Sequence, residues 1–226
     1  VLTVSPTYVP LRGGSVLTIR GTHFVSSSYL ACRFGSVVVS ATFLSSSAIL
    51  CVTPPNQAAG NVFIFVTNNG IDYSSAQNVH VAYYEKISIQ TMYPTHGPLS
   101  GGTVLALNVS HMVDTGRLHC SFNGIIVSAE YVTSEMVECT VPPVSRAMVS
   151  VVRVSLNGVD FDSSQVSFHH VSVPVVTHIT PKAGPIQGGT ELFLAGHSFV
   201  GTKELSCRFG GGTLVKAAFA SSTLMK

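Results

Sequence analysis

Residues 5–19 read SPTYVPLRGGSVLTI, and the reading of this stretch decides the fold because it is written three times. Pro6, Gly13, Gly14, Ser15, Leu17 and Ile19 return as Pro94, Gly101, Gly102, Thr103, Leu105 and Leu107, then as Pro181, Gly188, Gly189, Thr190, Leu192 and Leu194. The offsets are 88 and 87 residues, and Cys32, Cys120 and Cys207 keep the same register. Asn69-Gly70-Ile71-Asp72-Tyr73 also returns 88 residues later as Asn157-Gly158-Val159-Asp160-Phe161. A unit this long can enclose its own core, so it is a domain and not a solenoid turn. The expected organisation is repeat 1 over residues 1–84, repeat 2 over 85–172 and a truncated repeat 3 over 173–226.

Within each unit, short segments rich in Val, Ile, Thr and Phe alternate with Gly, Pro, Asn and Ser clusters. No stretch sustains an apolar 3.6-residue period, so the pattern predicts strands and turns throughout. About seven such segments per unit, with turns roughly every 8 to 12 residues, predict an all-β chain of tandem immunoglobulin-like β-sandwiches. The Asn-Gly pairs predict tight hairpin turns. Side chains on a strand alternate between faces, so positions that stay apolar in every copy mark the buried face. Leu17, Leu105 and Leu192, with Ile19, Leu107 and Leu194, are therefore inward, and so are Ile64 and Val66 with Val152 and Val154.

The chain is 46% hydrophobic and only 10% charged, against roughly 25% charged in an average globular domain. Its formal charge is +2 and no Lys/Arg cluster occurs, so the electrostatic footprint of a nucleic-acid binder or a polybasic membrane patch is missing. No apolar run reaches the length of a transmembrane helix and no signal-peptide pattern stands at the start. The sequence opens in one repeat and stops in another, which reads as a fragment of a larger protein.

Cys32 precedes Phe34 by two residues and Cys51 follows Ile49 by two; Cys120 with Phe122 and Cys139 with Val137 repeat this. Each complete unit thus places two inward cysteines 19 positions apart, on strands joined by a short connection. We read Cys32 with Cys51 and Cys120 with Cys139 as disulfides between neighbouring strands; the alternative is two buried free thiols per unit. Zinc is disfavoured because neither pair has CxxC spacing. The counterpart partner of Cys207 would fall at position 227, one beyond the last residue.

The openings Ser5-Pro6 to Ser15, Pro94 to Thr103 and Pro181 to Thr190 resemble the SPxxGPxxGGT start of the IPT/TIG domain. Gly21 to Phe24 and Gly196 to Phe199 are similar to that family's GxxF, and Cys32 to Gly35 and Cys51 to Pro55 complete the likeness. Val9 replaces a Gly in the first opening, and Val109 with Met112 replaces the GxxF residues in the second unit. The resemblance implies an immunoglobulin-like sandwich. It occurs in tandem, disulfide-bonded ectodomains such as those of plexins, the hepatocyte growth factor receptor and fibrocystin-like proteins, or in intracellular transcription factors of the Rel type. The paired cysteines favour the first setting.

Asn108-Val109-Ser110 is the single N-glycosylation sequon, and Asn108 falls on the outward face. Phe63 and Phe65 alternate on an outward face and form a candidate contact surface for a neighbouring domain or a protein partner. Among the nine His residues, His23 and His197 approach one repeat position, offset by one, without a carboxylate at useful spacing. The Gly-Gly pairs precede neither a Lys nor a helix, so they do not form a phosphate loop. No catalytic residue, metal ligand or cofactor is expected, and Asp72 and Asp160 are expected to support their turns.

The expected function is a non-enzymatic segment of a cell-surface or secreted protein, acting as spacer and protein-binding module. The alternatives are an accessory, carbohydrate-associated module of a secreted multidomain enzyme, or the dimerisation module of an intracellular transcription factor. Free thiols would favour the last.

Overall fold

The structure, a computed structural model, describes residues 1–75 and 78–226. The first repeat runs β1 (Thr3–Ser5), β2 (Tyr8–Pro10), β3 (Val16–Arg20), β4 (Ala31–Phe34), β5 (Val37–Ser45), β6 (Ala48–Val52), β7 (Gly60–Thr67) and β8 (His80–Tyr84). The second runs β9 (Ser88–Tyr93), β10 (His96–Pro98), β11 (Val104–Ser110), β12 (His119–Phe122), β13 (Ile125–Thr133), β14 (Met136–Thr140), β15 (Met148–Ser155) and β16 (Val166–Val171). The third has β17 (Val175–Thr180), β18 (Phe193–His197), β19 (Ser206–Phe209), β20 (Thr213–Lys216), β21 (Phe219–Ser221) and β22 (Leu224–Met225). Two compact units divide these residues: Val1–Thr95 with Gly102–Pro142 and Ser150–Phe168, and His96–Gly101 with Pro143–Val149 and His169–Lys226.

In the first unit, the first repeat pairs in the order β1-β3-β6-β5-β4-β7-β8-β2. The long strand β5 carries two ladders in succession: Val37 to Ser40 face β4, while Ala41 to Ser45 face β6. It thereby passes from one sheet of the sandwich to the other. The second repeat runs the same pairing order β9-β11-β14-β13-β12-β15. In the second unit β10 lies parallel to β16, as β2 lies parallel to β8 in the first repeat. The third repeat keeps the theme as a sheet of order β17-β18-β22-β21 and a separate hairpin β19-β20.

Burial follows the two-residue alternation. Leu17, Ile19, Ile49, Ile64, Leu105 and Leu107 are fully enclosed, whereas Val16 and Val104, one position away, are half exposed. The GxxF departure has a packing reason. A Cβ at Gly21 would stand 2.6 Å from the Phe24 ring, so the ring lies on the bare glycine. In the second repeat Val109 fills that space and the slimmer Met112, 4% exposed, takes the place of the ring. Gly13 is held at φ +70°, and a Cβ there would meet the Pro54 backbone at 2.6 Å. The Gly-Gly pair therefore lets the opening loop lie directly on Thr53-Pro54, where Gly14 N–H donates to the Thr53 carbonyl at 2.8 Å.

Candidate functional site

Cys32 is bonded to Cys51 and Cys120 to Cys139, with Cα atoms 6.4 and 6.3 Å apart and all four residues buried. The strands they join are not neighbours, contrary to the expectation from the short connection. Cys32 on β4 stands opposite Val39 of β5, and Cys51 on β6 opposite Ala41 of β5. The switch of β5 between sheets puts the bond across the core, tying one sheet to the other. Cys207 is a free, half-buried thiol whose pKa is raised by burial.

The Asn-Gly segments are not two-residue hairpin turns. Each is a wider loop closed by a single antiparallel bridge, Thr67 with Tyr73 and Ser155 with Phe161. The asparagine side chain organises the loop, because Asn69 Oδ1 accepts from the Ile71 and Asp72 amides at 3.0 and 2.9 Å. Asn157 Oδ1 does the same for Val159 and Asp160 at 2.9 and 2.8 Å. The amide Nδ2 of each Asn donates to the following aspartate, at 2.8 Å to Asp72 and 2.7 Å to Asp160.

The second loop does more, and only the tertiary structure reveals it. Ser15 Oγ donates to Asp160 Oδ2 at 2.7 Å, and Asn157 Nδ2 donates to the Tyr8 carbonyl at 2.8 Å. The opening segment of the first repeat thus lies on the Asn-Gly loop of the second. Tyr8 packs against the second repeat's core, and Tyr84 is buried within it beside Ile87. Desolvation by burial raises the Tyr84 pKa; the nearby Asp160 charge adds to this and Arg12 opposes it. His111 Nε2 stands 3.1 Å from Glu85 on the short connection between the repeats. His111 is also the true repeat counterpart of His23: both hold positive φ, 55° and 61°, as does Ser198 at 65°. The sequence signal for this equivalence is the 88-residue offset from His23 to His111, whereas His197 stands one position off register.

The other candidate residues lie apart from this junction. Phe63 is 47% exposed and meets His80 edge-on at 6.0 Å between ring centres. Phe65 is half-buried, because the Arg33 guanidinium lies 4.8 Å over its ring and 4.2 Å from the Tyr73 ring. Arg33 is opposite both Phe65 and Val38 in the ladders, so Val38, Arg33 and Phe65 form one outward row. Asn108 lies on β11 between Thr91 of β9 and Met136 of β14, half-exposed at a register shift.

Among the described residues, no group of three or more His, Cys, Asp or Glu side chains could hold a metal ion, and no helix is long and apolar enough to cross a membrane. A cleft of about 900 Å³ opens in the third repeat, lined by Ile179, Leu192, Leu194, Cys207, Val215 and Ala217. Leu192, Leu194 and Cys207 are the counterparts of Leu17, Ile19 and Cys32, which are core side chains in the first repeat. This part of the cleft wall therefore corresponds to sandwich interior, while Lys182, Glu191, Lys216 and Lys226 also border it.

The family model described as the IPT/TIG domain matches residues 1–83, 88–170 and 174–226. Among solved structures, one of the plexin A4 full extracellular region is 19% identical with a TM-score of 0.53, covering 99% of this chain and 20% of that one. A second plexin A4 extracellular structure is 15% identical with a TM-score of 0.45, covering 74% of this chain and 18% of that one. The Escherichia coli adhesin FdeC is 13% identical with a TM-score of 0.32, covering 86% and 71%. The chain spans about a fifth of the length of the plexin chains it matches, and the likeness is one of fold. Three family matches along almost all of its length, on the sandwich geometry described above, establish that this chain belongs to the IPT/TIG domain family as a tandem array of immunoglobulin-like units.

Proposed function

We propose that this chain is a non-enzymatic extracellular segment of a cell-surface or secreted protein, in which tandem IPT/TIG domains hold spacing and bind protein. The observation that carries this reading is the docked junction of the first two repeats, where Ser15, Tyr8, Asn157 and Asp160 exchange hydrogen bonds over a buried Tyr84. A junction tied by directional bonds restricts the angle between two sandwiches, which a spacer requires and a flexible tether lacks. The extracellular assignment is supported by the two core-spanning disulfides, since such bonds persist in oxidising compartments and are rare in the cytosol. Asn108 is the proposed glycan site, on an outward sheet face. Phe63, 47% exposed, and the half-buried Phe65 on the same face are the proposed contact surface for a neighbouring domain or partner.

Mass mapping without reduction, on protein recovered from the medium of secreting eukaryotic cells, tests the assignment. Linked Cys32–Cys51 and Cys120–Cys139 peptides and a glycan lost on Asn108→Gln are expected. Four reduced thiols in protein retained inside the cell would overturn the extracellular reading and favour the intracellular dimerisation module.

A further inference from the structure

The two Asn-Gly loops share one hydrogen-bond pattern but differ in what covers them. Thr67 Oγ1 accepts from the Asn69 and Gly70 amides at 3.3 and 2.9 Å; Ser155 Oγ accepts from Asn157 and Gly158 at 3.3 and 3.0 Å. Together with the Asn and Asp bonds above, every internal tie of one loop has its counterpart in the other. Gly70 and Gly158 hold φ values of 80° and 77°. Yet Asn157 is 7% exposed under the first repeat's opening segment, whereas Asn69 and Asp72 are open to solvent. Ile71 at the loop tip is 80% exposed, with Tyr29 and Val25 exposed at the same end. Gly70 lies against Tyr29, 3.9 Å from the position a Cβ would take.

We propose that the Asn69–Asp72 loop is a docking site for the opening segment of another IPT/TIG domain. The contacts are those that Asn157 and Asp160 make: Asn69 Nδ2 donates to a backbone carbonyl placed as that of Tyr8, and Asp72 accepts from a hydroxyl placed as that of Ser15. Each of the three openings in this chain has such a hydroxyl after its Gly-Gly pair, Ser15, Thr103 and Thr190, so the chemistry is general to these openings. The loop is already shaped without the partner, so docking costs it little ordering entropy. Ile71, Tyr29 and Val25 supply apolar area around the polar contacts. The proposal rests on the spacer reading and names the partner at one end of the array.

The test is a chain in which residues 1–88 are placed directly before Val1, so that the 88-residue spacing continues and an added Tyr8 and Ser15 come within reach of Asn69 and Asp72. Formation of the added Cys32–Cys51 bond reports that the added repeat has folded. Amide hydrogen exchange is read at residues 70–72 and 158–160. In the 226-residue chain, residues 158–160 are expected to exchange at least tenfold more slowly than 70–72. In the extended chain, residues 70–72 are expected to slow at least tenfold, and Ser15→Ala in the added repeat to reverse part of that slowing. Unchanged exchange at 70–72 with protection kept at 158–160 overturns the proposal and leaves the spacer reading standing. No protection at 158–160 in either chain removes the docked junction, and both readings fall with it.

Discussion

Ser15 Oγ donates a 2.7 Å hydrogen bond to Asp160 Oδ2, joining residues 145 positions apart in the chain. Asp160 also accepts from Asn157, whose amide reaches the Tyr8 carbonyl. One carboxylate therefore holds its own loop together and ties that loop to the preceding repeat. In the first repeat, among the described residues, Asp72 performs only the internal part of this work.

The strength of that tie is measurable. A hydrogen bond to a charged group contributes about 1.5–3 kcal/mol, and partial exposure screens it. A double-mutant cycle of Ser15→Ala and Asp160→Ala in denaturant unfolding is expected to give a coupling on the order of 1 kcal/mol. Additive effects of the two substitutions would show that water replaces the bond without loss.

The disulfides should act repeat by repeat. Cys32→Ala with Cys51→Ala removes a cross-link closing a loop of about 20 residues, which the chain-entropy argument values at about 3 kcal/mol. The unfolding midpoint of the first repeat should fall accordingly. Local melting of the second repeat, followed through exchange at Val152 and Val154, should stay in place because Cys120–Cys139 secures its own core. A loss spread equally over both repeats would contradict this.

Neighbouring glycines should respond differently to the same change. Both Gly13 and Gly14 have positive φ, 70° and 85°, but an added Cβ collides with the Pro54 backbone only at Gly13. Gly14→Ala is expected to cost about 1 kcal/mol from backbone strain alone. Gly13→Ala must also lift the opening loop off Thr53-Pro54 and should cost about 3 kcal/mol. Equal losses in thermal or denaturant unfolding would mean that the loop yields without penalty.

Stability should decline at both ends of the pH range. Burial pushes the Tyr83 phenol up to about 12, and its hydroxyl donates to the Pro54 carbonyl at 2.9 Å. The fold favours the neutral phenol, so its contribution is complete below the ordinary value near 10 and is lost as pH rises through about 12. Tyr83→Phe should flatten that alkaline decline, read as denaturant midpoints against pH.

On the acid side, burial and then the neighbouring His169 lower the His96 pKa, with the two rings stacked 4.6 Å apart. The fold favours neutral His96, so this contribution is present above the ordinary value of 6.5 and fades as pH falls through the depressed one. Imidazole proton shifts in NMR titration should show His96 protonating below the ordinary range. His96 titrating at or above 6.5 would refute this.

Much of the fold was legible because a strand sorts its side chains with period two. Leu17 against Val16, and Ile64 against Phe63, could be assigned to opposite faces from residue type and repeat position alone, and burial agrees. The Val109–Met112 substitution was visible as a departure, but its compensation was not. Whether a valine and a thioether can share the space of a glycine and a ring depends on three-dimensional volume. The row of Val38, Arg33 and Phe65 was also illegible, since ladder register is set by pairing between distant segments.

By itself the sequence determined that successive units repeat, which face of each strand is apolar and which four cysteines point inward, because local periodicity encodes all three. Only the tertiary structure decided that β5 changes sheets, so that Cys32–Cys51 spans the core, and that Asp160 meets Ser15 while its twin Asp72 meets solvent. The two aspartates occupy equivalent positions in the similar segments Asn69-Gly70-Ile71-Asp72-Tyr73 and Asn157-Gly158-Val159-Asp160-Phe161, in loops that share one hydrogen-bond pattern. What separates them is which surface the rest of the chain brings alongside, and that is a property of packing between domains.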